Sequence, residues 1–165
     1  MKQKLASLVL LIAGFSPALI SSQGIPSPVR PNFSGRWRMV KDKSNFATFH
    51  IPDMIIQQID HHDPTLNIHT IETLANKTNS NDVSYFTDGK ESENVISGRD
   101  ASSKAFWDGP ALMVRTDTKD SRGENVTMED RYELSADKKT LTETSHITTG
   151  LGGEITMKLV CEKER

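Results

Sequence analysis

The chain has 165 residues and carries 20 Lys and Arg against 22 Asp and Glu, a formal net charge of −2. That balance excludes a basic face for nucleic acid, and a single cysteine excludes an internal disulfide framework. Stability must come from burial, and a chain of this length can supply one core of sufficient size.

Residues 1–23, MKQKLASLVLLIAGFSPALISSQ, begin with two lysines, run through an apolar block from Leu5 to Phe15, break at Pro17 and end in small residues. This is the three-part plan of a secretory signal, with cleavage expected near Ser22 or Gln23. The apolar block is shorter than the roughly 20 residues of a membrane helix, so no stable membrane span is expected. No cysteine lies near the cleavage point to carry a lipid anchor. The protein is therefore expected outside the cytosol, secreted or periplasmic. Residues 24–31, GIPSPVRP, hold three prolines and read as an extended linker, which leaves 32–165 as the folded domain.

From Asn32 onward, period-two segments are cut by turn residues at short intervals, and no helical stripe exceeds a turn or two. Strands are predicted over 34–41, 54–61, 66–74, 83–87, 90–97, 102–107, 111–118, 125–134, 139–147 and 154–163. Asp63-Pro64, Asp88-Gly89, Gly98-Arg-Asp100, Asp108-Gly109, Ser121-Arg-Gly123, Ala136-Asp-Lys-Lys139 and Gly150-Leu-Gly-Gly153 all suit tight reversals. Short reversals make consecutive strands antiparallel neighbours. The predicted fold is all-β, an antiparallel up-and-down meander of about eight to ten strands closed into a barrel, because closure removes the two bare edges.

Alternation assigns the inside. Val126, Met128, Tyr132 and Leu134 form one apolar row, and Ile155, Met157, Leu159 and Cys161 another; Thr127, Glu129, Arg131, Glu133, Thr156 and Lys158 then face water. Ile55, Ile59, Leu66 and Ile68 share a face across the Asp63-Pro64 turn. Trp37 shares its face with Phe33, Gly35 and Met39. It is predicted to plug one end of the closed sheet, with Gly35 keeping the neighbouring position empty. Met39, Met113, Met128 and Met157 are adaptable enough to narrow any cavity.

The opening Phe33-x-Gly35-x-Trp37, within NFSGRWRMVKDKSNF, resembles the first strand and following bend of the lipocalins and fatty-acid-binding proteins. Phe106-Trp-Asp-Gly109, followed by Leu112-Met-Val114, resembles a hairpin of the fatty-acid-binding proteins, and the closing LVCEKER is placed like theirs. The resemblance implies a lipocalin-like barrel of the calycin group, of a bacterial secreted type, with a small hydrophobic molecule inside. Two departures limit what carries over. Only SNFATFHIPD, residues 44–53, stands where fatty-acid-binding proteins have a helical lid, and Pro52 is inside it. Where they place an inward Arg and Tyr on the last strand to hold a carboxylate, this chain has Leu159 and Cys161.

Asp130, Glu143 and Ser145 interrupt the inward rows. If residue 134 pairs with 141, Tyr132 sits opposite Glu143 and Asp130 opposite Ser145, which brings two carboxylates diagonally together on one face. Met128, Asp130, Tyr132, Glu143, Ser145 and Met157 are the ligand-binding candidates; a water-filled mouth or a reversed face would also explain the polar residues. With two acids and no inward Arg, a ligand bearing a hydroxyl or amine is expected in preference to a bare fatty acid.

His61-His62-Asp63 with His69 across the turn does not make a metal site, because adjacent histidines on a strand point to opposite faces and Gln58 is the expected neighbour of His69. They read as polar turn residues. His50 and His146 have no partner that spacing identifies. Cys161 reads as a small core residue, and Gly150-Leu-Gly-Gly-Glu154 lacks the Lys-Ser/Thr of a phosphate loop. No residue has a local catalytic signature, and no cofactor is called for. Asn32, Asn76 and Asn125 lie in Asn-x-Ser/Thr sites, which by themselves carry no weight. Three kinds of function follow, in order: a secreted binding protein for a small apolar or amphipathic ligand, a non-catalytic interaction or structural scaffold, and an enzyme built on the barrel. Oligomeric state is not legible.

Overall fold

A computed structural model describes residues 30–165. The signal segment and most of the proline linker lie outside the described residues. The rest is ten strands: β1 (Gly35–Met39), β2 (Met54–His62), β3 (Thr65–Leu74), β4 (Lys77–Phe86), β5 (Glu91–Ile96), β6 (Arg99–Asp108), β7 (Ala111–Lys119), β8 (Asn125–Leu134), β9 (Thr140–Thr149) and β10 (Glu154–Lys163). All neighbours are antiparallel, in the order β4-β3-β2-β1-β10-β9-β8-β7-β6-β5. The meander closes because the first strand pairs with the last, Trp37 opposite Lys163 and Met39 opposite Cys161.

Closure is nearly complete. β4 and β5 end the sheet order, so the two edges expected to vanish remain, bridged by side chains rather than by a backbone ladder. Asn94 accepts from the Ser84 amide at 2.8 Å and donates to the Ser84 carbonyl at 3.0 Å. The Ser92 hydroxyl accepts from the Phe86 amide at 3.1 Å. These bonds satisfy groups that would otherwise sit bare on an edge.

The predicted strands are all present, with two boundary corrections. β4 begins at Lys77 rather than at 83, its polar first half Lys77–Asp82 pairing back onto β3 through a two-residue turn. Ala75 and Asn76 both have positive φ in that turn, 48 and 63, the conformation that matches strand twist in a tight hairpin. The segment shows no alternation because its residues are almost all exposed. The β5–β6 reversal is Ser97-Gly98, with φ of 51 and 74, so Arg99 and Asp100 belong to β6 and not to the turn.

Between β1 and β2 there is no helical pair, only a 3-10 turn at Lys41–Lys43 and a bridge from Asn45 to Lys158. Phe46 from this segment packs against the core. The predicted inward rows hold: Ile55, Ile59, Leu66 and Ile68 are all buried, with Ile59 directly opposite Ile68. Met113 is a correction. It lies on β7 between inward Leu112 and Val114 and touches Arg131 on the outer face.

Burial is uneven along the barrel axis. Phe33, Trp37, Leu66, Leu112, Tyr132 and Leu141 pack one end solid, each such side chain contributing roughly 1.5–3 kcal/mol. Trp37 is fully buried, its indole N–H donating to the Phe33 carbonyl at 2.9 Å. Gly35 has φ of 144, and a Cβ there would lie 2.5 Å from Lys163 Cε and 3.6 Å from Trp37 Nε1. Toward the other end the inward residues Val126, Met128, Ile147, Ile155, Met157 and Leu159 are only half-buried.

Candidate functional site

Ten-residue strands β8, β9 and β10 build the site because each turns one row of alternate residues inward and the hairpins between them fix register. Leu134 pairs with Leu141, so Tyr132 stands opposite Glu143, Asp130 opposite Ser145 and Met128 opposite Ile147. On the other side of β9, Glu143 faces Leu159 and Ser145 faces Met157. The six candidate residues therefore share one inward patch, midway between the packed end and the open one.

The acids are embedded in a polar cluster. Tyr132 donates its hydroxyl to Glu143 Oε1 at 3.2 Å, and Gln57 Nε2, reaching across from β2, donates to Glu143 Oε2 at 2.9 Å. Asp130 is 9% exposed. Glu143 is set among protein atoms but keeps part of its surface open to the interior. Burial raises the proton affinity of Asp130, a hydrogen bond from Ser145 opposing it. Burial does the same to Glu143, the charge of Asp130 adds to it, and the Gln57 and Tyr132 hydrogen bonds pull the other way. Burial and then the two carboxylates also raise Tyr85, inward from β4. Gln57 Oε1 is buried with no hydrogen-bond partner.

Gln57 and Tyr85 are members of the site that sequence reasoning misses. They lie across the barrel from the acids, and no spacing along the chain links them to β9. Alternation on β2 places Ile55 and Ile59 inward and carries Gln57 with them, which is the one signal the chain offers.

A cleft of about 510 Å³ is lined by Thr70, Glu72, Asn79, Asn81 and Ile96 among others, where the β3–β4 and β5–β6 turns approach.

His61 corrects the reading of 61–63 as polar turn residues. It is 3% exposed, while His62 beside it faces water. Its ring packs against both Phe33 and Trp107, with centroids at 5.6 and 5.9 Å, and those two rings also touch each other at 5.9 Å. Nδ1 accepts from the Phe33 amide at 3.2 Å, and Asn32 donates to the His61 carbonyl at 3.0 Å. Asp63 is held by the Thr87 hydroxyl and by Arg30 at 3.1 Å. This cluster seals the packed end. Among the described residues no group of three or more His, Cys, Asp and Glu is placed to hold a metal ion. His69 pairs with Asp82 at 2.7 Å, with Gln58 opposite it in the ladder.

No protein-family model matches the chain, and no curated protein matches it by sequence. Solved structures do. A secretory abundant heat soluble protein from Ramazzottius varieornatus superimposes with a TM-score of 0.57 at 18% identity, covering 79% of this chain and 94% of that one. Lipid binding protein 8 from Caenorhabditis elegans gives 0.56 at 12% identity, covering 80% and 95%, and human cRBP IV gives 0.54 at 14%, covering 81% and 99%. The fold is a calycin barrel. At these identities the likeness concerns backbone architecture alone, and none of the three comes from a bacterium. The calycin barrel is built here with a polar cluster of its own: the inward positions of β10 are Ile155, Met157, Leu159 and Cys161, with no Arg among them.

Proposed function

We propose that the protein is a secreted carrier that holds a small apolar or amphipathic ligand inside the barrel. Met128 and Met157 would form the walls, and Asp130, Tyr132, Glu143 and Ser145 the polar anchor. The observation that carries this reading is the gradient of burial. The same inward rows that are sealed around Trp37 and Leu141 become half-accessible from Met128 and Met157 to the rim, so part of the apolar wall there is open to contact. Apolar-lined concavities with a few convergent polar groups are where small ligands bind. The neighbour named a lipid binding protein shares the architecture and supports the class of ligand. Export would follow from residues 1–23.

Native mass spectrometry of protein recovered from the exported fraction tests both parts: an N-terminus within a few residues of Gly24, and a co-purified small molecule. Saturable binding of a neutral apolar fluorophore, lost in Met128→Trp, supports the carrier. Absence of any binding would favour a barrel that serves as a scaffold.

A further inference from the structure

Granted that ligand cavity, its floor has an excess of acceptors. Asp130 and Glu143 contribute two carboxylates. The donors aimed at them are the Gln57 amide and the Tyr132 hydroxyl, both on Glu143, and Ser145 beside Asp130. The amide that donates to Glu143 leaves its own oxygen, Gln57 Oε1, buried and unpartnered at the same spot. A buried acceptor without a donor costs about 1–3 kcal/mol. On β8, β9 and β10 the inward rows carry one cation, Lys163, at the packed end, where its ammonium lies over the Trp37 ring and donates to the Ser34 carbonyl; Arg131 and Lys158 lie on the outward-facing alternates.

The titratable groups around Glu143 are Asp130 and Tyr132 from β8, Tyr85 from β4 and Cys161 from β10. Burial keeps both phenols and the thiol neutral, so the carboxylates alone set the sign of the site. We propose that the cavity takes an apolar chain ending in a primary ammonium group, its nitrogen seated among Asp130, Glu143 and Gln57 Oε1. An ammonium brings three donors and a positive charge, satisfying all three acceptors together. A hydroxyl brings one donor, and a carboxylate adds a third negative charge. From Asp130 to the rim end of β8 at Asn125 is five residues, about 17 Å at the rise of an antiparallel strand, room for a twelve-carbon chain past Met128 and Val126.

The test is calorimetric titration of the exported protein at pH 8 with dodecylamine, dodecanol and dodecanoate, each below its aggregation threshold. The amine should bind at least tenfold more tightly than the alcohol, with dodecanoate weakest. Asp130→Asn with Glu143→Gln should erase the tenfold preference of amine over alcohol; Glu143→Gln alone, expected to remove most of it, serves if the double variant fails to melt cooperatively. Dodecanoate binding as tightly as the amine, or a preference that survives both substitutions, overturns the head-group assignment and leaves the carrier standing. Failure of all three ligands to saturate overturns the carrier and the head group together.

Discussion

Gln57 and Glu143 lie on strands separated by two others in the sheet, yet their side chains meet at 2.9 Å across the barrel interior. This bond ties two walls of the barrel at the level where the inward rows pass from buried to half-buried. Gln57→Ala removes a donor from a buried carboxylate, which should cost about 1–3 kcal/mol in urea denaturation at pH 8. The cost should shrink at pH 5, where Glu143 is protonated and needs the donor less. Equal losses at both pH values would show that Gln57 acts by packing alone.

The two acids give stability a pH dependence of predictable sign. Their folded proton affinities are raised, Asp130 to about 6 and Glu143 to about 7. Protonated in the fold and ionised in the unfolded chain, they leave stability full below the ordinary carboxylate range and diminish it as pH rises through 6 to 7. Each tenfold difference in proton affinity between the folded and unfolded chain is worth about 1.4 kcal/mol, so the loss should be on the order of a few kcal/mol. Asp130→Asn with Glu143→Gln should flatten the melting-temperature profile between pH 5 and 8.

His61 works in the opposite sense. Burial lowers its proton affinity, against the raising influence of Asp63, so its contribution is present above the ordinary histidine value of about 6.5 and is lost as pH falls. Protonation also places a hydrogen on Nδ1, where the Phe33 amide now donates. The protection of the Phe33 amide relative to its intrinsic exchange rate should therefore fall between pH 6.5 and 5, and should not in His61→Asn, which has no titrating group.

Trp37→Ala should destabilise the domain by about 3–5 kcal/mol, with Trp37→Phe milder. Gly35→Ala should also destabilise, through its φ of 144 and the approach to Lys163. The two causes separate in a cycle: Lys163→Ala removes the contact but not the backbone strain, so it should recover only part of the loss. Full recovery would make the contact the whole effect.

At the seam, Asn94→Ala deletes both bonds to Ser84. The expected cost is about 1–2 kcal/mol, with hydrogen exchange rising at the Ser84 and Phe86 amides before anywhere else in the barrel. Unchanged protection there would mean that the seam is held by the inward side chains and not by Asn94.

Much of this is legible in the chain. Ile155-Met157-Leu159 alternates without a break and Val126-Met128-Tyr132 is interrupted only by Asp130, so strand, face and register follow from one another, and with them the meeting of Asp130, Glu143 and Ser145. Lys77–Asp82 is not legible because a strand wetted on both faces carries no period. Gln57 and Tyr85 reach the acids through space, across a barrel whose diameter sequence spacing does not encode. His61 reads as a turn residue because its burial comes from Phe33 and Trp107, which approach from 28 residues before and from the far wall.

The pairing of β1 with β10 has a consequence for how the molecule comes into being. Trp37 enters the chain early, but the strand that covers its edge is the last of the ten to be synthesised, and Arg36 and Arg38 find their common partner only in Glu164. Every hairpin from β2 to β9 can form as it emerges; the ring cannot. The closing step joins segments more than a hundred residues apart, so β1, paired with β2 on one side, keeps an open edge until β10 is in place.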